Sequence, residues 1–322
     1  MKKLLLILVA MVTASAAQPC TSALIGADRT ISGNPILWKH RDSGFEQNFI
    51  ERVEATDTTM AYIALFNGGD SLLREAWIGV NERSFAIMNT ASYNLAPDTA
   101  TLKDREGLIM SEALRKCETV NDFARLLDSL PKPLGVQANF GVIDADGNGA
   151  VFETDDNGYK FESLRADSMI IRTNFSCTGT CGDGLGRVRY DNACHLLCSR
   201  TDISPGLLTD SISRSFYYAP LGCDIIEDSE VTEIEDRGDF IPRRSTSASI
   251  AIELGEQPTL YVILGYPPLS TATTVTLNNI PKEMRPILPG ALSPLSKRNV
   301  ERRNALFRRV NGKYLLNIAK LR

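Results

Sequence analysis

Cys20 follows a segment that is typical of a secretory signal peptide. Two lysines lie near the start of the chain, residues 4–12 form an apolar run, and residues 14–16 are the small residues that a signal peptidase recognises. The apolar run is too short to span a bilayer, which takes about 20 residues. We therefore predict a signal peptide over residues 1–17, with or without a short propeptide to residue 19. The mature protein is expected to be exported, either periplasmic or secreted.

A cysteine at the start of a mature chain carries both groups that a nucleophilic mechanism needs. Its thiol becomes a nucleophile once a base accepts the proton, and its own α-amine, with an ordinary pKa of about 8, can be that base. The amine can later return the proton to a leaving amine. The chain has only two histidines, His40 and His195, and neither lies in a cysteine-protease motif. The sequence thus favours Cys20 as a nucleophile that uses its own amine.

The residues just before Cys20 bear on this hypothesis. Lipoprotein cleavage wants small residues ahead of the cysteine, whereas Gln18 and Pro19 precede Cys20, which disfavours a lipid anchor. Cleavage after residue 16 or 17 leaves a short stub on the amine, and an amide nitrogen cannot act as the base. We therefore expect the stub to be removed, either by self-cleavage at the Pro19–Cys20 bond or by a dipeptidyl peptidase that cuts after proline.

Hydrophobic patterning predicts the elements that must position Cys20. Short β-type runs separated by Gly, Asn or Asp fill the first ninety residues, and Cys20 begins the first of them. Helical stretches at 107–117 and 121–130 follow, then further strands, cysteine-rich helical sequence and three final strands. Blocks of strands and blocks of helices, without strict β-α-β units, predict an α+β fold. We predict one domain over residues 20–322, with a basic helical tail at about 297–322.

The opening of the predicted mature chain, CTSALIGADRTISGNPILWKHRDSG, resembles that of a known family. The Cys-Thr-Ser start and the strand that ends in Asp42 resemble the N-terminal nucleophile hydrolases of the choloylglycine hydrolase, acid ceramidase and penicillin acyltransferase group. The resemblance implies an αββα sandwich, in which two stacked antiparallel sheets lie between helix layers. It implies that Asp42 holds the α-amine of Cys20 by a charge-assisted hydrogen bond. Lys39 stands where the family usually has arginine, which keeps the charge but loses the planar fork.

Three further stretches resemble the same family. GVNERSFAIMNT resembles a strand pair that ends in an asparagine near the nucleophile, here Asn89. IIRTNFS resembles the strand end that carries the oxyanion-hole asparagine, here Asn174, whose amide would stabilise a developing oxyanion. GLGRVRY resembles an arginine segment whose matching residue is Arg187, with Arg189 close behind. With Cys20, these positions complete the predicted catalytic set.

The resemblance implies hydrolysis of a non-peptide linear amide through an acyl thioester on Cys20. A small acyl amide would be the substrate, and neither a metal nor an organic cofactor is needed. Two alternatives stay open: an acyltransferase that passes the acyl group to an amine, and a non-catalytic, exported or lipid-anchored binding protein. A homo-oligomer is possible under each of them.

Charge and hydropathy narrow the choice of partners. Without the two lysines near its start, the chain has 33 basic and 39 acidic side chains, so we expect no nucleic-acid partner. No later stretch approaches the length of a membrane helix, so we expect no integral membrane segment after signal removal. The basic tail is predicted to be a solvated, partly amphipathic helix, with contact to an anionic surface as the alternative.

Seven cysteines in an exported chain permit disulfides. Cys177 and Cys181 form one C-x3-C pair, Cys194 and Cys198 form another, and His195 lies beside the third cysteine of this set. We predict two crossed disulfides between these pairs, with a metal site as the alternative, although the spacing is looser than in common zinc motifs.

The three remaining cysteines are assigned by elimination. Cys117 and Cys223 would form the third disulfide, which leaves Cys20 as the free thiol. A separate stretch, DADGNGAVFETD at 144–155, matches the spacing of a calcium-binding loop. Its flanks are β-branched and aromatic rather than helical, so we predict a tight hairpin there instead.

Overall fold

Cys20 directly precedes one of the inner strands of a six-stranded sheet and lies beside the end of the next strand. The computed structural model describes residues 20–96 and 99–322, so the predicted signal peptide lies outside the described residues. Every neighbouring pair of strands is antiparallel. In spatial order the strands are β10 (Met169–Arg172), β1 (Thr21–Ile25), β2 (Ile36–Asp42), β14 (Thr246–Glu253), β15 (Thr259–Leu264) and β16 (Thr273–Val275).

A second, seven-stranded sheet is an antiparallel meander whose spatial order follows the chain. The sequence analysis identified six of these strands and missed the first, NFIERV, whose polar residues weaken the pattern. The strands are β3 (Asn48–Val53), β4 (Tyr62–Asn67), β5 (Ile78–Asn81), β6 (Ala86–Ala91), β7 (Ala138–Ile143), β8 (Gly149–Asp155) and β9 (Gly158–Leu164).

The turn between β7 and β8 confirms the predicted hairpin. Asp144 is buried, and its Oδ1 accepts the backbone N–H groups of Asp146 and Asn148. The carboxylate thus closes an Asx-type turn between two strands, and no helix flanks it.

The two sheets pack face to face. Their shared core is apolar, because alternate residues of each strand point inward. It contains Leu24, Leu37 and Ile250 from the six-stranded sheet, and Leu65 and Met88 from the seven-stranded sheet. Removal of this apolar surface from water, at about 25 cal/mol per Å², holds the two layers together.

Helices cover the outer face of each sheet. The seven-stranded sheet packs on α1 and α2, and the six-stranded sheet packs on α3 and α4. The prediction of an αββα sandwich is therefore confirmed. The helices are α1 (Glu106–Lys116), α2 (Val120–Ser129), α3 (Arg187–Leu197), α4 (Pro205–Asp210) and α5 (Pro294–Asn304). Among the described residues, no helix is both long enough and apolar enough to cross a membrane.

The C-terminal tail differs from its predicted helix. It is helical only to Asn304, after which two strands form a small antiparallel sheet with a segment from the middle of the chain. Apolar side chains of the tail, such as Leu316 and Ile318, are buried against Phe216 and Tyr266, and this burial favours docked strands over a solvated helix. The strands of this sheet are β13 (Glu233–Glu235), β17 (Phe307–Val310) and β18 (Lys313–Asn317). A separate two-stranded ribbon consists of β11 (Tyr217–Tyr218) and β12 (Cys223–Asp224).

Strand β2 is unusual because it begins apolar and ends in four ionisable residues. All seven of its residues are buried, including Lys39, His40, Arg41 and Asp42. Burying charged groups is costly unless other groups compensate them. Such a cluster in the centre of a sheet marks β2 as the strand around which a functional site is built.

Candidate active site

The antiparallel pairing of β1 and β2 brings Cys20 beside the charged end of β2. Thr21 pairs with His40 and Ser22 pairs with Lys39, so the residue before β1 lies next to the last residues of β2. Cys20 is buried, and its Sγ lies 3.8 Å from the backbone carbonyl oxygen of Asp42, to which the thiol donates. The structure thus confirms that Cys20 and Asp42, 22 positions apart, are neighbours.

Asn174 holds the nitrogen of Cys20 from the other side. It directly follows β10, which pairs with the opposite edge of β1. Its Oδ1 accepts the N–H of Cys20 at 2.9 Å and an N–H of Arg189 at 2.8 Å, and its Nδ2 donates to the carbonyl oxygen of Ala91 at 2.9 Å. Since two donors face Oδ1, the orientation of the amide is determined by its neighbours. One N–H of the NH2 group that was predicted to serve an oxyanion therefore donates to Ala91.

The carboxylate of Asp42 is bound by groups that the sequence analysis did not name. Oδ1 accepts the hydroxyl of Thr246 at 2.6 Å, and Oδ2 accepts Nε of Arg243 at 2.9 Å and also its Nη2. In the unprocessed chain the nitrogen of Cys20 is a peptide nitrogen with one proton, which it donates to Asn174, so the predicted hydrogen bond from a free α-amine to Asp42 stays a prediction. Asp42 therefore supports the site through a buried ion pair with Arg243.

His40 supports the same carboxylate indirectly. The hydroxyl of Thr246 gives its single proton to Asp42 and accepts the backbone N–H of Arg243 at 3.0 Å. His40 Nε2 lies 3.1 Å from this hydroxyl, so Nε2 must be the protonated nitrogen that donates to it. Burial lowers the pKa of His40 to about 4, which keeps the ring neutral. His40 thus orients Thr246 and does not act as a general base.

Lys39 and Asn89 form a second pair at the site. The ammonium group of Lys39 donates to Asn89 Oδ1 and to the carbonyl oxygen of Trp77, each at 2.7 Å. Because an ammonium group only donates, the oxygen of Asn89 must face it and the NH2 group of Asn89 points away. Within residues 20–96 and 99–322 this NH2 group has no hydrogen-bond partner. Asn89 therefore offers an uncommitted amide donor.

Two cations of β2 surround the thiol. Burial lowers the pKa of Lys39 to about 7, while the Cys20 thiol and Glu106 counteract this and Arg41 adds to it. Burial also lowers the pKa of Arg41 to about 10, and Cys20 and Asp42 oppose that shift. The guanidinium of Arg41 is hydrogen-bonded to Asn48, Asn67 and Ser247, all uncharged. Both cations therefore stabilise negative charge on the sulfur of Cys20.

The pKa of Lys39 predicts an alkaline limit to activity. As pH rises through about 7, Lys39 loses its proton and the positive charge beside Cys20 disappears. We expect kcat/KM of the wild type to fall over this range, and the Lys39→Arg variant to keep its activity to higher pH, because guanidinium stays protonated. The pH dependence of kcat/KM for both proteins is the measurement. An identical alkaline limb in the two proteins would exclude Lys39 as its source.

The arginine that sequence matching selected lies outside this cluster. Arg187 is exposed, its Nη2 donates to the carbonyl oxygen of Asp183 at 3.0 Å, and its guanidinium lies over the ring of Phe175. Arg189, two positions later, is buried against Cys20. Arg243 was missed altogether, although a pair of arginines just before a long buried strand is a signal that could have identified it.

The predicted disulfides are not present, since all seven cysteines are free thiols. The Cys117–Cys223 prediction is wrong for a topological reason. Cys117 is buried between the seven-stranded sheet and its helices, whereas Cys223 is exposed in β12, which pairs with β11 beside α3 on the other side of the molecule. Cys194 and Cys198 lie one turn apart on α3, and burial raises the pKa of Cys194 to about 12. Among the described residues no cluster of three or more His, Cys, Asp or Glu could bind a metal ion.

Three solved structures with a similar overall arrangement are a bile acid hydrolase, an acid amidase and a penicillin acylase. A variant of conjugated bile acid hydrolase from Clostridium perfringens is 11% identical, with 81% of this chain and 93% of that chain covered and a TM-score of 0.46. An N-acylethanolamine-hydrolyzing acid amidase orthologue from Caenorhabditis elegans is 13% identical (73% and 93% covered, TM-score 0.46). Penicillin V acylase from Agrobacterium tumefaciens is 14% identical (81% and 87% covered, TM-score 0.46).

No protein-family model matches the sequence, and no curated protein sequence matches it either. Function therefore has to be argued from the residues of this chain.

Proposed function

We propose that this protein is an exported cysteine hydrolase of the N-terminal nucleophile type, which cleaves a non-peptide linear amide through an acyl thioester on Cys20. One observation carries the proposal: Cys20 is buried between hydrogen-bonding groups that hold its nitrogen and cations that surround its sulfur. A structural cysteine needs none of these groups, and in an apolar setting its thiol would be inert. A hydrogen bond to the backbone nitrogen and positive charge near the sulfur are what we expect of a residue that uses its nitrogen as the base and its sulfur as the nucleophile.

The proposed reaction conserves every proton. The α-amine of Cys20 accepts the thiol proton, and the sulfur attacks the acyl carbon of the substrate. The C–N bond of the substrate then breaks, and the ammonium returns its proton to the departing amine. Water attacks the resulting thioester, assisted again by the amine, and releases the carboxylic acid and the free thiol. Every bond change and proton transfer uses groups of Cys20, substrate and water.

This chemistry requires that residues 1–19 be removed, because an α-amine exists only when Cys20 begins the chain. Removal after export would keep the enzyme inactive until the signal and stub are cleaved. Intact mass spectrometry of the active exported protein should give a chain that begins at Cys20. An active protein that begins at residue 17 or 18 would contradict the use of the α-amine as base.

The free NH2 group of Asn89 is proposed to stabilise the oxyanion. Lys39 holds the amide oxygen of Asn89, so the NH2 group is already oriented when charge develops on the substrate. We expect Asn89→Ala to lower kcat by about 10²- to 10³-fold with little change in KM. Asn278→Ala, at an exposed asparagine that binds Arg52, is the matched control and should leave kcat unchanged. Steady-state kinetics decide: a change in KM alone would assign Asn89 to substrate binding instead.

A groove beside the site suits a small substrate. It encloses about 610 Å³ and is lined by Tyr93, Gln137, Lys103 and Asp183, among others. The backbone N–H of Tyr93 donates to the carbonyl oxygen of Asn174, so this groove adjoins the residue that holds Cys20. The volume lies in the range of about 300–1,000 Å³ that is usual for small-molecule pockets.

The test is turnover and a covalent intermediate. Purified wild type should release amine from at least one member of a panel of N-acyl amino acids, acylethanolamines and bile-salt conjugates. Acid quenching during turnover should show the acyl mass on the peptide that contains Cys20, and hydroxylamine should remove it. Absence of amine release across the panel, together with no adduct from thiol-directed acyl analogues, would favour a non-catalytic binding protein. Amine release without an adduct at Cys20 would refute the covalent mechanism.

A further inference from the structure

Arg189 of α3 contacts both ends of the backbone of Cys20. Its Nη1 donates to the carbonyl oxygen of Cys20 at 2.6 Å and to Thr21 Oγ1 at 3.1 Å. Its Nη2 donates at 2.8 Å to Asn174 Oδ1, the same atom that accepts the N–H of Cys20. The guanidinium therefore reaches the carbonyl of Cys20 directly and its nitrogen through one shared oxygen.

The position of Arg189 is costly to the fold. The side chain is 1% exposed, and its four hydrogen bonds all go to uncharged acceptors, the fourth being the carbonyl oxygen of Gly238. Burial, aided by nearby Arg243, lowers the pKa of Arg189 to about 9 while Asp42 opposes the shift. Gly186 leaves room for the guanidinium, since a Cβ there would lie 2.2 Å from Nη2. A buried cation that forms no direct ion pair with any residue the structure describes, in a space left by a glycine, points to a role beyond stability.

The guanidinium is also close to the atom that would act as base. Arg189 Nη2 and the nitrogen of Cys20 both bind Asn174 Oδ1, so they are no farther apart than the sum of the two distances. A like charge at such a range disfavours a protonated amine and lowers its pKa by about one unit. The other charged groups near Cys20 are Lys39, Arg41 and Asp42 of β2 and Arg243 before β14, and Asp42 is paired with Arg243.

We propose that Arg189 is a positioning residue with two effects on Cys20. It holds the residue at its carbonyl while Asn174 holds the nitrogen, which sets the direction of the thiol. Its positive charge keeps the α-amine of the processed chain unprotonated near neutral pH, so that the amine can accept the thiol proton. This inference rests on the proposed function of Cys20 as an N-terminal nucleophile, and it adds a residue two positions away from the one that sequence matching selected.

The experiment compares wild type with two variants. Arg189→Met removes both the planar guanidinium and its charge, and Arg189→Lys keeps the charge without the guanidinium. Arg200→Met is the matched control, since Arg200 follows α3 and its side chain donates to the carbonyl oxygen of Leu196 and to the carboxylate of Asp202, away from Cys20. The readouts are kcat, KM and the acid limb of kcat/KM against pH. The rate at which iodoacetamide alkylates Cys20 gives a second pH profile that does not depend on turnover. Thermal unfolding reports whether each variant folds.

For Arg189→Met we expect kcat to fall by about 10²-fold, because a misdirected nucleophile loses the near-attack geometry, with KM changed less than about threefold. The acid limb of its kcat/KM profile should move to a pH about one unit higher. Arg189→Lys should keep the wild-type acid limb and lose about tenfold in kcat. If Arg189→Met does not fold, Arg189→Lys alone tests the proposal. A kcat of Arg189→Lys equal to that of wild type overturns the positioning role. A shifted acid limb of its kcat/KM profile overturns the charge effect. An inactive wild type would instead refute the proposed function, whereas an active wild type with an unaltered Arg189→Met profile overturns only this inference.

Discussion

Replacing Cys20 by alanine is expected to lower amide hydrolysis by at least about 10⁴-fold, to a rate near the background. The reason is that one substitution removes the nucleophile, and neither histidine can replace it: His40 is neutral and bound to Thr246, while His195 is stacked on Tyr217. Cys20→Ser should be nearly as inactive, because a hydroxyl gives up its proton far less readily than a thiol. The measurement is amine release under single-turnover conditions with enzyme in excess.

The controls for this experiment separate chemistry from folding. The side chain of Cys20 is small and lies at the start of β1, so Cys20→Ala should unfold at a temperature close to that of wild type. Cys198→Ala, at an exposed thiol on the far side of α3, should retain full activity. Substantial turnover by folded Cys20→Ala would mean that another group performs the attack, and the proposed function would have to be abandoned.

Replacing Asp42 by asparagine is expected to cost both stability and activity. The carboxylate is fully buried and accepts hydrogen bonds from Arg243 and Thr246. Asparagine leaves the charge of Arg243 uncompensated by Asp42, and its NH2 group would face a donor. Breaking a buried ion pair on one side costs about 3–5 kcal/mol in unfolding free energy. Chemical denaturation of wild type and Asp42→Asn measures this loss, and the lost support of Cys20 should lower kcat as well.

A double mutant tests whether the ion pair is the cause. Asp42→Asn combined with Arg243→Met removes both charges, so its unfolding free energy should exceed that of Asp42→Asn alone. Glu233→Gln, in the exposed ion pair with Arg308, is the surface control and should change stability little. If Asp42→Asn and Glu233→Gln are equally harmless, or if the two core substitutions are simply additive, the buried pair does not support the site as described.

Several features of the site were predictable because they depend on local sequence. The apolar runs in CTSALIG and PILWKH, separated by a segment rich in Gly, Asp and Asn, predict two strands, and the structure pairs them as antiparallel neighbours. The proximity of Cys20 to Asp42 follows from that hairpin. The Asp144 turn was likewise predictable, because strand-like flanks and an Asn-Gly pair are both contained within a dozen residues.

Other features were not predictable because they depend on contacts between distant segments. Arg243 meets Asp42 across 201 positions only because β14 pairs with β2 in one particular register. The roles of Asn89 and Asn174 are decided by the donors around them, and those donors come from β2, from the residue just before β1 and from α3. The disulfide prediction failed for the same reason, since cysteine spacing carries no information about which side of the two sheets a residue occupies.

The sequence by itself determined most of the strands and helices and the place of Cys20 at the start of a buried strand, because hydrophobic runs and turn residues act over a few positions. Only the tertiary structure decided which charged and amide groups lie around Cys20: it directs the amide oxygen of Asn174 to the nitrogen of Cys20 and the amide oxygen of Asn89 to Lys39. The physical reason is that hydrogen bonds form within about 3 Å. Sheet register, set by the burial of whole strands, decides which side chains come that close.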